Sequence, residues 1–339
     1  PPGTEKRWEG KGQYVMFQQH MNTYIVGSGF TKSIFPSAPL NNELMELLAN
    51  KPDSVSPVLM KRYKTTDIEV ALTKLHLDLI SSCCDEKKRL QHEIKTELGD
   101  HFRSYKATPE TIEQLPWLCE FMRSTINDGD VIVSLNYDCV FEGALDCVGR
   151  WSPNGGYGFF KNPLIDNHKF KKSAVTVLKI HGSTSFKIAP IAPYVDNPSF
   201  KAVSFVFNAD YFPCSADVHF NYGMGMGETY LIEPSYVKLP TVEIAYLMID
   251  ALKAVSESKN LIILGCSLRN EDSFLTLLIT QFLRHPKWQS RKIVILDKNA
   301  EEISLKIKRY WTVDVDKCII PIVGCIQDSI NELPKIIKT

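Results

Sequence analysis

Four short apolar runs rich in β-branched residues constrain this chain most: DVIVSL at 130–135, AVTVLKI at 174–180, NLIIL at 260–264 and KIVIL at 292–296. Stretches with helical spacing separate them. The runs are predominantly apolar, as in strands covered on both faces, and strands of that kind alternating with helices build the parallel sheet of α/β proteins. A further run, TYIV at 23–26, precedes them, and another near 318–323 follows. The expected fold class is therefore α/β, a parallel sheet flanked by helices.

What ends these strands is polar. Residues 23–26 run into Gly27-Ser28-Gly29, 130–135 into Asn136-Tyr137-Asp138, 174–180 into His181-Gly182-Ser183, 260–264 into Gly265-Cys266-Ser267, and 292–296 into Asp297. Ligands of open α/β sheets bind outside the carboxyl ends of the strands. Glycines after a first strand let backbone N–H groups approach a pyrophosphate without interference from a Cβ. In Gly27-Ser28-Gly29-Phe30-Thr31 the third glycine of G-x-G-x-x-G is replaced by Lys32, and no glycine precedes Lys32-Ser33, which excludes a P-loop. Taken singly, each group has a structural alternative: a tight turn for the glycines, a turn residue for Asn136, helix caps for Asp138, Ser267 and Asp297, a satisfied structural histidine for His181. Five polar strand ends at one edge favour a ligand site. Asp297 suits a ribose diol, and Asp272 is read chiefly as the start of its helix.

The rest of the chain is organised around that sheet. Residues 1–20 are polar and aperiodic, lack an initial Met, and are read as an extension or added segment. Residues 21–339 form one domain, with a helical insertion at about 51–126 and irregular insertions at about 149–172 and 187–240; residues 51–60 are expected to be a loop because of Pro52 and Pro57. With 39 basic and 39 acidic side chains, no dedicated nucleic-acid surface is expected. No apolar run is long enough to span a membrane, and no signal peptide is visible. The nine cysteines include no C-x-x-C pair, so no ribbon-type zinc site and no other metal is expected. Free thiols in this pattern fit a reducing, cytoplasmic compartment.

G-S-G-F-T, S-L-N-Y-D, K-I-H-G-S and G-C-S-L, in this order, resemble the sirtuin fold, and within it the bacterial branch of NAD-cleaving domains found in antiphage defence proteins. The segment Ile232-Glu233-Pro234-Ser235-Tyr236-Val237-Lys238 is similar to a P-x-x-x-K stretch of that branch. The resemblance implies a Rossmann-like sirtuin fold with a mainly helical smaller lobe. It implies Asn136 and His181 as the catalytic pair, and Gly27, Ser28, Gly29, Phe30, Thr31, Asp138, Gly265, Ser267 and Asp297 as the NAD-binding residues, with Asp138 meeting the nicotinamide carboxamide or holding the polar network. The paired-cysteine ribbon of deacylases is missing, which turns the expectation toward simple NAD+ hydrolysis. The expected role is an abortive-infection effector that depletes NAD+, as a homo-oligomer or under a partner such as a HerA-type ATPase or a phage-sensing protein. The alternatives are an NAD-dependent deacylase or ADP-ribosyltransferase, and a non-catalytic ADP-ribose or NAD sensor.

Overall fold

A computed structural model describes residues 21–158, 173–190, 201–205, 228–236, 238, 240, 242–269, 272–309 and 315–338. The expected extension at 1–20 and much of the two irregular insertions lie outside the described residues.

The chain enters through β1 (Asn22–Val26), whose five residues are all buried. It turns at once into the helix α1 (Ser28–Ile34). The reason is the spacing of the buried residues Phe30, Thr31 and Ile34, which put one face of a helix against the core. Next come α2 (Asn41–Ala49), α3 (Ser56–Tyr63), α4 (Ile68–Ser81) and α5 (Asp85–Arg103). α3 occupies part of the span expected to be a loop. Pro57 sits in its first turn, where a missing N–H costs nothing, so here proline starts a helix. The Asp67 carboxylate caps α4 by accepting from the Glu69 and Val70 N–H groups at 2.8 and 3.2 Å. α6 (Pro109–Gln114) and α7 (Pro116–Glu120) then lead to β2 (Val131–Ser134).

After β2 come α8 (Val140–Cys147), the one-turn α9 (Pro153–Gly156) and β3 (Thr176–Lys179). β4 (Gly182–Pro190), β5 (Lys201–Phe205) and β6 (Glu228–Leu231) form a three-stranded antiparallel sheet with β4 in the middle. This sheet falls largely in the span read as irregular. The remainder alternates helix and strand as far as β9 and closes on two helices: α10 (Val242–Glu257), β7 (Asn260–Leu264), α11 (Ser273–Leu283), β8 (Lys292–Asp297), α12 (Ala300–Arg309), β9 (Ile319–Val323), α13 (Ile326–Ser329) and α14 (Leu333–Lys338). No helix among the described residues is long and apolar enough to cross a membrane.

The main sheet has six parallel strands in the order β3-β2-β1-β7-β8-β9. Counted in chain order, its strands run third, second, first, fourth, fifth, sixth, the doubly wound arrangement of Rossmann-type sheets. The direction of winding reverses between β1 and β7, which pair from Asn22↔Asn260 to Val26↔Leu264. The apolar side chains of β7, Leu261 to Leu264, are completely buried, each contributing roughly 1.5–3 kcal/mol of burial.

Two apolar cores result. The larger joins both faces of the sheet to Ile112, Leu118, Phe121 and Met122. The smaller lies among α2 to α5, with Leu44, Leu48, Leu72, Leu75, Ile94 and Leu98. The helical lobe therefore begins at α2 and ends with α5, while α6 and α7 belong to the main core, so its limits differ from the expected 51–126.

Candidate active site at the carboxyl edge of the sheet

The strand ends meet through backbone contact first. Gly27 N–H donates to Leu264 O at 3.0 Å, and Gly29 N–H donates to Gly265 O at 2.9 Å. These bonds extend the β1–β7 pairing beyond the last strand residues. A Cβ on Gly27 would lie 2.6 Å from Gly265 O, and one on Gly29 would lie 2.8 Å from the Gly265 Cα. Both glycines are thus required by the close approach of two loops at the switch point, and their N–H groups are engaged there. Phe30, expected to contact a ligand, is fully buried and packs on Phe141, with ring centroids 4.8 Å apart. Its side chain is a core residue.

From β2, Asn136 reaches back across this contact. Its Nδ2 donates to Gly27 O at 3.0 Å and to Thr31 Oγ1 at 3.1 Å. Thr31 Oγ1 passes the chain on to Asp138 Oδ2 at 2.9 Å, and Asp138 Oδ1 accepts from Val140 N–H at 3.0 Å. Both carboxylate oxygens of Asp138 are thereby committed inside the protein, where burial pushes its pKa up against the opposing pull of Lys179. Of the two roles considered for Asp138, its contacts are those of a network holder.

Beneath the turn sits a pair that the sequence reading did not single out. Lys179 of β3 and Glu142 of α8 are both completely buried and 3.1 Å apart. Lys179 Nζ also donates to the Asp138 carbonyl and, at 3.4 Å, to Ser134 Oγ. A fully buried ammonium needs partners of this kind. Here they tie β3 to the Asn136–Asp138 turn. Tyr157 completes the layer, donating to Glu142 Oε1 at 3.3 Å and meeting Ser185 Oγ at 2.9 Å.

His181 follows β3, at the junction of the two sheets. Its carbonyl accepts from Ile232 N–H at 3.0 Å. The next residue, Gly182, has φ +80°, and a Cβ there would lie 2.4 Å from Tyr230 O, so only glycine lets the chain turn into β4. β2 and β3 pair as far as Ser134↔Lys179, so Asn136 and His181, each two residues beyond that pair, stand at adjacent strand ends. The His181 Nε2 faces Lys238 Nζ at 3.3 Å and Asp272 Oδ2 at 3.4 Å. Burial first, then the Lys238 cation, hold the ring down to about 4, while Asp272 pulls the other way. The ring lines a cavity of about 240 Å³ together with Ile232, Met248, Asp272, Phe274 and Leu277.

Gly265, Ser267 and Asp297 continue the edge on the far side of the switch point. Ser267 is exposed, and its carbonyl accepts from Lys306 Nζ at 3.4 Å. Asp297 Oδ1 accepts from Asn299 N–H at 2.8 Å, a bond that helps start α12. The edge thus brings Asn136, Asp138, Thr31 and Gly27 into one bonded cluster, with Gly29 bonded to Gly265 and His181 at the next strand end, and sets Ser267 and Asp297 further along. Among the described residues no group of three or more His, Cys, Asp or Glu side chains could hold a metal ion. Lys238 and Asp272 join the site from 34 residues apart. The signal for them in the sequence was slight: Lys238 closes the P-x-x-x-K stretch, and Asp272 was read as a helix start.

The family model described as "SIR2-like domain" covers residues 130–315, more than half of the chain. The chain therefore belongs to the SIR2-like domain family, and its fold is the Rossmann-like sheet with flanking helices expected from the strand-end motifs. Among solved structures, a Sir2 enzyme is 11% identical, with 94% of this chain and 92% of that chain covered and a TM-score of 0.43. A Sir2 homologue in complex with NAD is 10% identical, with 94% and 88% covered and a TM-score of 0.43. A Sir2 homologue mutant in complex with ADP-ribose is 11% identical, with 94% and 91% covered and a TM-score of 0.40. No curated protein is similar enough to this chain to count as a relative.

Proposed function

We propose that this chain hydrolyses NAD+ at the nicotinamide–ribose bond, releasing nicotinamide and ADP-ribose. The observation that carries the proposal is that Asn136 and His181 stand at adjacent strand ends, with Asn136 bonded to Gly27 at the switch point. Family membership supports the substrate class. The bond breaks through an oxocarbenium-like state, and because the pyridinium leaves as a neutral base, no general acid is needed, in contrast to ordinary glycosides. A group must orient water at the anomeric carbon, and a base must take its proton. The Asn136 Nδ2 is committed to Gly27 and Thr31, so Oδ1 is the end that would accept from that water. His181 Nε2 would take the proton.

The nucleotide would lie along the same edge. With the Gly27 and Gly29 N–H groups engaged, Ser28 at the first turn of α1 and Ser267 are the groups left to meet the pyrophosphate. Gly265 keeps the floor of the cleft low, Thr31 and Asp138 hold Asn136 in place, and the second oxygen of Asp297 suits a ribose diol. In the cell such an activity would deplete NAD+. We assign it to cytoplasmic antiphage defence by abortive infection, controlled by self-assembly or by a partner such as a HerA-type ATPase or a phage-sensing protein.

The absence of a C-x-x-C pair in the sequence weighs against deacylation. One observation favours a second reading, transfer of ADP-ribose to an acceptor: the cavity beside His181, at about 240 Å³, is many times what one water needs. Purified protein should release nicotinamide from NAD+ when assayed over a range of concentrations, alone and with candidate partners. Asn136→Ala and His181→Ala should each lower the rate at least ~100-fold with unchanged circular dichroism. Mass spectrometry of the products separates ADP-ribose from ADP-ribosylated acceptors. Tight ADP-ribose binding with no nicotinamide release under any of these conditions would sink the enzyme reading and leave a sensor.

A further inference from the structure

We propose that Lys238 and Asp272 are positioning residues for His181. Lys238 selects which ring nitrogen is the base, and Asp272 holds the ring once it has taken a proton. The inference rests on His181 being the base, but its geometry stands apart from the reaction. Lys238 Nζ lies 3.3 Å from His181 Nε2 and 3.0 Å from Asp272 Oδ2. Asp272 Oδ2 lies 3.4 Å from the same Nε2. Three segments, the end of β3, the stretch after β6 and the start of α11, thus aim one imidazole, one ammonium and one carboxylate at a single point. His181 and Asp272 are nearly buried there, and the Lys238 side chain is about a quarter exposed.

Donor and acceptor rules fix the tautomer. An ammonium has only donors, so Lys238 donates and Nε2 carries the lone pair; the ring proton of neutral His181 is on Nδ1. The nitrogen with the lone pair is therefore the one turned toward the cavity groups. Asp272 Oδ1 is buried and has no hydrogen-bond partner among the described residues. Among those residues its carboxylate meets Lys238 and His181 through Oδ2.

Charge conservation then assigns the work. In hydrolysis the water oxygen bonds to C1′, the C1′–N bond breaks with its electron pair going to the nicotinamide nitrogen, and the water proton goes to Nε2. The positive charge of the pyridinium disappears from the substrate and reappears on His181. Asp272 is the anion already in place to meet it. Lys238 must leave Nε2 for that transfer. It has room to do so in the cavity it lines, while keeping its contact with Asp272. The charged groups acting on His181 are Lys238, Asp272 and the buried Lys179 of its own strand.

The test is a titration of His181 by nitrogen-15 NMR in the wild type, Lys238→Met, Lys238→Arg and Asp272→Asn, with His181→Gln to assign the signal. The wild type should show the Nδ1–H tautomer and stay neutral down to about pH 4. Lys238→Met should move the midpoint up toward the ordinary imidazole value near 6.5, and Lys238→Arg should restore the wild-type midpoint. Asp272→Asn should move it further down and lower kcat by ~10–100-fold with KM little changed. A His181 midpoint and tautomer unchanged by Lys238→Met and Asp272→Asn overturns the inference. If the midpoints move as stated while no protein releases nicotinamide, the positioning stands and the hydrolase reading fails.

Discussion

Gly265 sits at φ +56°, and a Cβ there would lie 2.4 Å from Phe30 N. Two demands meet at one residue, a left-handed backbone and contact with the chain that begins α1. Gly265→Ala should therefore cost about 2–4 kcal/mol of stability in urea denaturation. Gly155 provides the control. It also has a positive φ, +81°, but nothing stands within 4 Å of its missing Cβ, so Gly155→Ala should cost only the backbone term of about 1–2 kcal/mol. This pair explains why the glycine motif was readable only in part. A loop that cradles phosphate and a loop pressed against its neighbour both exclude a Cβ, and the sequence reports the exclusion without its cause. Asn136 and His181 were legible as polar residues closing apolar strands, and taken singly a turn or structural role explained each as well.

At the scale of elements, the buried Lys179–Glu142 pair is the most consequential contact between β3 and α8. Lys179→Met should destabilise by about 3–5 kcal/mol by leaving Glu142 charged and unpaired. The double variant Lys179→Met, Glu142→Leu should recover most of that loss, and equilibrium unfolding of the three proteins measures it. Activity need not recover with stability, because the Asp138 carbonyl would still lack its ammonium donor. A charged residue within AVTVLKI was a visible signal, since a strand covered on both faces has no place for an unpaired charge. The partner was not legible, because Glu142 lies 37 positions away on a helix. α3, β5 and β6 were missed for different reasons. Pro57 was taken as a breaker when it was a first-turn residue, and β5 and β6 depend on pairing with β4, not on their own periodicity.

Over the whole molecule, buried titrating groups set the response to acid. Burial lowers His101 and His181 to about 4. Their unfolded forms titrate near 6.5, so between these values the unfolded chain binds more protons, and stability falls as pH falls. Each contributes at most about 3 kcal/mol. Asp130 is raised to about 6, and it acts in the opposite sense: its contribution is full below its unfolded value and is lost as pH rises through 6, offsetting about one histidine. These three groups together should lose about 3 kcal/mol from pH 7 to 4.5, and His101→Gln should flatten the profile; thermal melts at both pH values check this. The sheet and its polar edge were legible because hydrophobic periodicity is local. The return of Lys238 and Asp272 to His181 was not, because it depends on how distant segments fold back. The same distance governs how the protein is made. β1 is the central strand, bonded to β2 on one side and to β7 on the other, with Asn22 and Asn260 joined across 238 positions. A nascent chain that has emerged only as far as β3 holds three strands with the β7-facing edge of β1 unpaired. It must remain so until β7 has left the ribosome, which makes protection during synthesis, and not the speed of any local step, the demand this topology places on its host.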